Sequence, residues 1–148
     1  MFYPFLISTN KAYTIFSVLP KVLKSCCKIE ESQLRNAARI KNYLTVNAIV
    51  AWRILFLTFA GREMPDVDAS VLFEEHEWKG IHCRIFNTSE VPEKPPSIQT
   101  IIAQIGKLGG HLGRKSDGHP GIITLFRGLS RVNDIAAVYK LLALNKYG

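Results

Sequence analysis

Between Ser32 and Arg62 the chain has no proline and a single glycine, Gly61, and its second half is apolar nearly all the way round. Ser32 is a candidate N-cap, a hydroxyl that can accept from an unpaired backbone N–H. Leu34, Ala37, Ala38 and Lys41 begin an amphipathic stripe, and Leu44, Ala48, Ala51, Trp52, Leu55 and Phe59 continue it at helical spacing. Val46, Ile49, Val50, Ile54, Phe56 and Leu57 fill the other sides. A helix of that kind has to be enclosed by other helices or by a second subunit. Gly61 and Pro65 end it.

The stretch from Leu44 to Ala60 is about as long as a short membrane span, but Asn47 and Arg53 lie inside it. An arginine in the middle of a span is costly in lipid, so the expectation is a buried soluble helix and no membrane partner. The opening residues, MFYPFLISTN, are apolar and aromatic but have no basic segment before them and no A-x-A cleavage site after them. They do not make a secretory signal.

Further helices follow. Residues 74–86 read as a short helix, with Glu74, Glu75 and Glu77 in the first turn, where the dipole favours negative charge, and with Trp78, Ile81 and Ile85 on one face. The proline-rich NTSEVPEKPP, residues 87–96, is a linker. Ser97 caps the next helix, whose stripe is Ile98, Ile101, Ile102, Ile105 and Leu108, and Gly109 and Gly110 stop it. A glycine- and charge-rich loop covers residues 111–121. The last helix runs from about Ile122 to Asn145, with Leu125, Leu129, Val132, Ile135, Ala136, Tyr139 and Leu142 inward. Strand alternation and hairpin turns are scarce. The fold expected is all-α, one long central helix with several shorter ones.

At 148 residues the chain is long enough for a hydrophobic core, and 47% apolar with 21% charged residues excludes a disordered composition. The net charge of +7 favours a polyanionic partner. Cys26, Cys27 and Cys83 cannot all pair, and no C-x-x-C offers a zinc site, so reduced thiols are expected. GKLGGHLGRKS, residues 106–116, misses the Walker spacing: three residues separate Gly109 from Gly113, and Arg114 precedes Lys115. His76, His82, His111 and His119 form no H-E-x-x-H motif. Lys21, Lys24 and Lys28 fall at i, i+3 and i+7, which on a helix lines them along one face, and Arg35 and Arg39 repeat the pattern. Such rows can follow a phosphate backbone; the bland alternative is a solvated helix face.

Several segments in collinear order, over about residues 21–140, resemble the C-terminal part of transposon-five-type transposases of the DDE cut-and-paste superfamily, in its insertion-sequence-four-like group. They are KVLKSCCKIEESQL (21–34), AIVAWRILFLTF (48–59), EEHEW (74–78) and PPSIQTIIAQIGKLGGHLGRKSDGHPGIITLFRGLSRVNDI (95–135). The resemblance implies an all-helical dimerisation domain that follows a ribonuclease-H-like catalytic domain. In intact members, three carboxylates hold divalent magnesium or manganese for in-line attack on phosphodiesters. The third carboxylate belongs to a Tyr-x2-Arg-x3-Glu-x6-Lys pattern. Its lysine falls on Lys24, while Ser17, Tyr13 and Asn10 stand at the glutamate, arginine and tyrosine positions. A serine cannot supply the anionic oxygens magnesium demands.

The resemblance therefore implies a catalytically incomplete chain that needs no cofactor of its own. Pro20 falls where the family has an uninterrupted helix. The expected division is an unrelated or degraded segment over residues 1–20, from a truncated or frameshifted gene, a remnant of the last catalytic-domain helix over 21–30, and the helical dimerisation domain over 31–148. Lys21 and Lys24 match positions facing transposon-end DNA; Lys28, Arg35 and Arg39 extend that set by spacing. Self-association is expected because the 44–59 helix needs cover, with Tyr139, Leu142 and Leu144 as a second candidate subunit contact or, alternatively, core residues. The partners implied are double-stranded DNA and a second copy or an intact transposase, with no small-molecule substrate, in a bacterial cytoplasm or on the nucleoid. A basic helical nucleic-acid-binding module and a membrane-associated helical protein are the competing readings.

Overall fold

Asn36, not Ser32, starts the long helix. Its side-chain Oδ1 accepts the backbone N–H groups of Ala38 at 2.9 Å and Arg39 at 3.3 Å, satisfying two donors that a helix N-terminus leaves unpaired. Ser32 instead closes a 3₁₀ turn over Ile29–Glu31, where its N–H reaches the Ile29 carbonyl. The computed structural model describes residues 9–145 apart from Lys115, with side chains described from Ser17 to Ala143. The described residues form α1 (Thr9–Ser25), α2 (Ala37–Glu63), α3 (Glu75–Phe86), α4 (Ile98–Leu108) and α5 (Ile122–Asn145). Two 3₁₀ turns and one isolated bridge, Asp68 to Ser97, complete the regular structure, and no strand forms among the described residues. The fold is all-α.

The chain divides into two compact units, one ending at Leu55 and the other beginning at Phe56, so that α2 contributes to both. In the first unit α1 continues through Pro20, which has no N–H to give the helix. Val22, Cys26 and Cys27 are buried. The turn after α1 is tied to α2: Tyr43 Oη donates to the Cys27 carbonyl at 3.0 Å, and Cys27 Sγ donates to the Asn47 carbonyl at 3.8 Å. Asn47 Nδ2 in turn donates to the Tyr43 carbonyl at 2.8 Å. The amide inside the apolar helix is thus paired along its own backbone.

The second unit is built around α4. Ile98, Ile101 and Ile105 have no exposed surface, and Ile102 and Leu108 are buried with them. Ser97 caps this helix as its sequence predicts, accepting from the Thr100 N–H at 3.3 Å. Glu74 is the N-cap of α3, and its backbone N–H donates to the Glu77 carboxylate at 2.9 Å, half of a capping box. Trp78 and Ile81 of α3 and Leu125, Val132 and Ala136 of α5 are the buried faces of those helices. The end of the proline-rich linker is held in place: the Ala69 N–H donates to the Pro96 carbonyl at 2.8 Å, and the Ile98 N–H to the Val67 carbonyl at 2.7 Å. Helices α4 and α5 meet through glycine. A Cβ at Gly128 would lie 2.0 Å from the Ile105 carbonyl oxygen, and one at Gly109 would lie 1.9 Å from that of Thr124. Arg131 Nη1 donates to the Leu108 carbonyl, pairing one of the orphan acceptors at the C-terminus of α4.

Candidate functional site

Most of the apolar surface that the fold leaves uncovered lies on two helices, with Val67, Val71, Phe86 and Leu112 exposed elsewhere. On α2 it comprises Leu44, Val46, Ile49, Val50 and Trp52, with Ile49 64% and Trp52 48% exposed. The enclosure that so apolar a helix demands is met further on, where Ala51, Ile54, Leu55, Leu57 and Ala60 are buried. By length and composition α2 is the one described helix that could cross a membrane. Its polar Asn47 is internally bonded, and Arg53 is exposed within the run.

Toward the end of α5 the uncovered residues are Val138, Leu141 and Leu142, the last two each 64% exposed. They lie at i, i+3 and i+4, a second stripe roughly opposite the buried Val132. Leu142 therefore faces outward, correcting its placement among the inward residues. Tyr139 is half-buried and forms the wall between outside and core: a Cβ at Gly80 of α3 would lie 3.4 Å from the Tyr139 Cβ. Tyr139 and Leu142 line two adjoining hollows between α3 and α5, of about 390 and 600 Å³, which also share Cys83 and Asn87. The Leu144 side chain lies outside the described residues.

The basic residues singled out by spacing do not form one helix face. Lys21 and Lys24 are exposed on α1, with Lys24 in its last turn. That helix ends at Ser25, and Lys28 has a left-handed backbone, φ 49 and ψ 41, which turns the chain before the 3₁₀ segment. Its i+7 relation to Lys21 therefore carries no helical geometry. Arg35 precedes α2, whereas Arg39 lies in its first turn, so this pair does not share a helix either. Lys24 Nζ meets Glu30 Oε1 at 2.7 Å, and Lys28 Nζ meets Glu31 Oε2 at 3.1 Å. The two glutamates escape a search for cationic rows, although their positions shortly after the lysines made the pairing available.

No three His, Cys, Asp or Glu side chains come together to hold a metal ion among the described residues. His76 Nδ1 is 3.3 Å from the Glu74 carboxylate, and His82 stacks on Phe86 with ring centres 4.6 Å apart. Ser17 is exposed on α1, and the Asn10 and Tyr13 side chains lie outside the described residues. A magnesium site does not fit the described residues. Burial pushes the Cys27 thiol above its usual range. In α3 the Lys79 ammonium, hydrogen-bonded to Glu75, holds that carboxyl below the usual carboxylate range. The 106–116 segment ends a helix instead of opening one: Gly109 is the C-cap of α4, and Gly110 and Gly113 follow with φ 98 and 67. A hollow of about 490 Å³ is lined by Lys107, His111 and Arg114 of this segment and by His119 among others.

A family model described as the transposase Tn5 dimerisation domain matches residues 49–141. No curated protein and no solved structure matches the chain.

Proposed function

We propose, because the chain belongs to the transposase Tn5 dimerisation-domain family, that it is an association module of DNA transposition which pairs with a second copy of itself or with an intact transposase. The observation that carries this reading is the outward stripe of Val138, Leu141 and Leu142 beside the hollows between α3 and α5. Val138 and Leu141 fall within the matched segment, and Leu142 directly follows it. The α2 stripe begins before that segment, at Leu44 and Val46, so α5 is the better subunit contact. Two α5 ends meeting about a two-fold axis would each present a leucine pair to the other's hollow, a self-complementary arrangement that closes as a dimer.

Duplex DNA is the second partner in this reading. Lys21 and Lys24 supply phosphate contacts from α1, with Lys28, Arg35 and Arg39 flanking them as separate charges and not as a helical row. The chemistry of strand transfer belongs to the intact partner, which would hold the divalent metal, since Ser17 offers no carboxylate at the position of the family's third acid. The working location would then be DNA in a bacterial cell. Pairing with an intact enzyme would also lower transposition by occupying its association surface.

Two differently tagged copies co-expressed and captured on one tag provide the test. The second copy is retained with the wild-type sequence and lost with Leu141→Glu/Leu142→Glu. Retention of that variant at the wild-type level would remove α5 from the interface.

A further inference from the structure

The turn between α1 and α2 holds two carboxylates on the lysines that would contact DNA. Glu30 and Glu31 follow Lys28, whose left-handed backbone turns the chain after α1; Glu30 meets Lys24 in the last turn of α1, and Glu31 meets Lys28 itself. Lys24 pairs with Glu30 at 2.7 Å and Lys28 with Glu31 at 3.1 Å. All four side chains are between 59% and 68% exposed, so an incoming phosphate can replace either glutamate. The arrangement is anchored rather than a chance meeting of surface chains. The backbone N–H groups of Cys26 and Cys27 both donate to the Val22 carbonyl, Tyr43 holds the Cys27 carbonyl, and Cys27 Sγ reaches Asn47 on α2. Among the described residues Lys21, Arg35 and Arg39 meet no carboxylate.

We propose that Glu30 and Glu31 are specificity-determining residues, built-in counter-ions that compete with phosphate for Lys24 and Lys28 and so hold down binding to arbitrary duplex DNA. This rests on the reading that the lysines contact DNA. With the pairs intact, the Lys24–Glu31 turn presents two cations and two anions, close to neutral, and it gains positive charge only where a bound strand is placed to displace the acids. Non-specific affinity is governed by the phosphates a protein neutralises, so a lysine already neutralised contributes less to it.

The experiment is fluorescence anisotropy of the full chain with a random-sequence duplex of about 20 base pairs at fixed salt, run as a double-mutant cycle. Glu30→Gln/Glu31→Gln keeps side-chain shape and removes charge. It tightens binding by up to about fivefold for each glutamate, the range expected of exposed ion pairs. Introduced into Lys24→Ala/Lys28→Ala, the same change has little effect, because the acids act through those lysines. Equal tightening in both backgrounds would make the glutamates diffuse repulsive charges and overturn the inference, as would no tightening in the wild-type background. If Lys24→Ala/Lys28→Ala binds DNA as well as the wild type, the DNA-contact reading fails by itself. If neither the wild type nor the glutamine variant binds, both fall.

Discussion

Replacing Gly128 by alanine should unfold the second unit early, and the size of the effect follows from one close approach. The new methyl would sit 2.0 Å from the Ile105 carbonyl oxygen and 2.8 Å from Ile105 Cγ2, where ordinary contact begins at 3.4 Å. The nearest atom belongs to a helix backbone, so no rotamer change relieves it, and α4 and α5 must separate. Overpacking of this kind costs about 1–3 kcal/mol, and a main-chain obstacle puts Gly128 at the upper end. Alanine's better helix propensity returns about 0.8–1.0 kcal/mol, leaving a net loss of about 2 kcal/mol. For a unit of this size that lowers Tm by roughly 8–16 °C. Circular dichroism melts of Gly128→Ala and Gly121→Ala make the comparison, because a Cβ at Gly121 meets nothing within 4 Å. An unchanged or raised melting temperature for Gly128→Ala would refute the glycine-mediated crossing.

Removing both α5 leucines with Leu141→Glu/Leu142→Glu should weaken self-association at least about tenfold in sedimentation equilibrium, since burial of each leucine is worth about 1.5–3 kcal/mol. Lys21→Ala/Lys24→Ala should weaken duplex binding and lower the magnitude of its log–log salt slope by up to about 1.8, at about 0.9 for each phosphate no longer neutralised, with the larger share from Lys21 because Lys24 is already paired with Glu30. In a timed reaction with a thiol reagent Cys83, half-buried beside the α3–α5 hollows, should react before the buried Cys26 and Cys27. Because the Cys27 thiol is raised in the folded chain, its contribution to stability is present below the ordinary thiol range and lost as pH rises through the folded value; a Cys27→Ser variant should show less alkaline destabilisation in urea melts. Asn36→Ala should destabilise α2 by about 1 kcal/mol, whereas Ser32→Ala should leave its start unchanged.

The helices were legible because their signals are local. Ser97, the isoleucine stripe of α4 and Gly109 specify a helix start, a buried face and a stop within a short stretch, and the structure follows them. The start of α2 was not legible to the same rule, because Ser32 and Asn36 are both acceptable caps. Tertiary bonds holding Cys27 to Tyr43 and Asn47 fix the turn before it. The row of lysines failed for a related reason: spacing implies a face only while the helix lasts, and α1 stops before Lys28. Leu142 looked inward by periodicity, but periodicity marks a helix face without saying how far along it a partner reaches. The family resemblance, carried by an ordered set of segments instead of one motif, is matched by the dimerisation-domain assignment over residues 49–141.

The most direct test of the association module is the mass of the purified chain by sedimentation velocity across a wide range of concentration, with Leu141→Glu/Leu142→Glu measured alongside. The account predicts a reversible monomer–dimer equilibrium for the wild type and a monomer for the variant. A wild-type chain that stays monomeric over the whole range, or a variant that dimerises equally well, would contradict it.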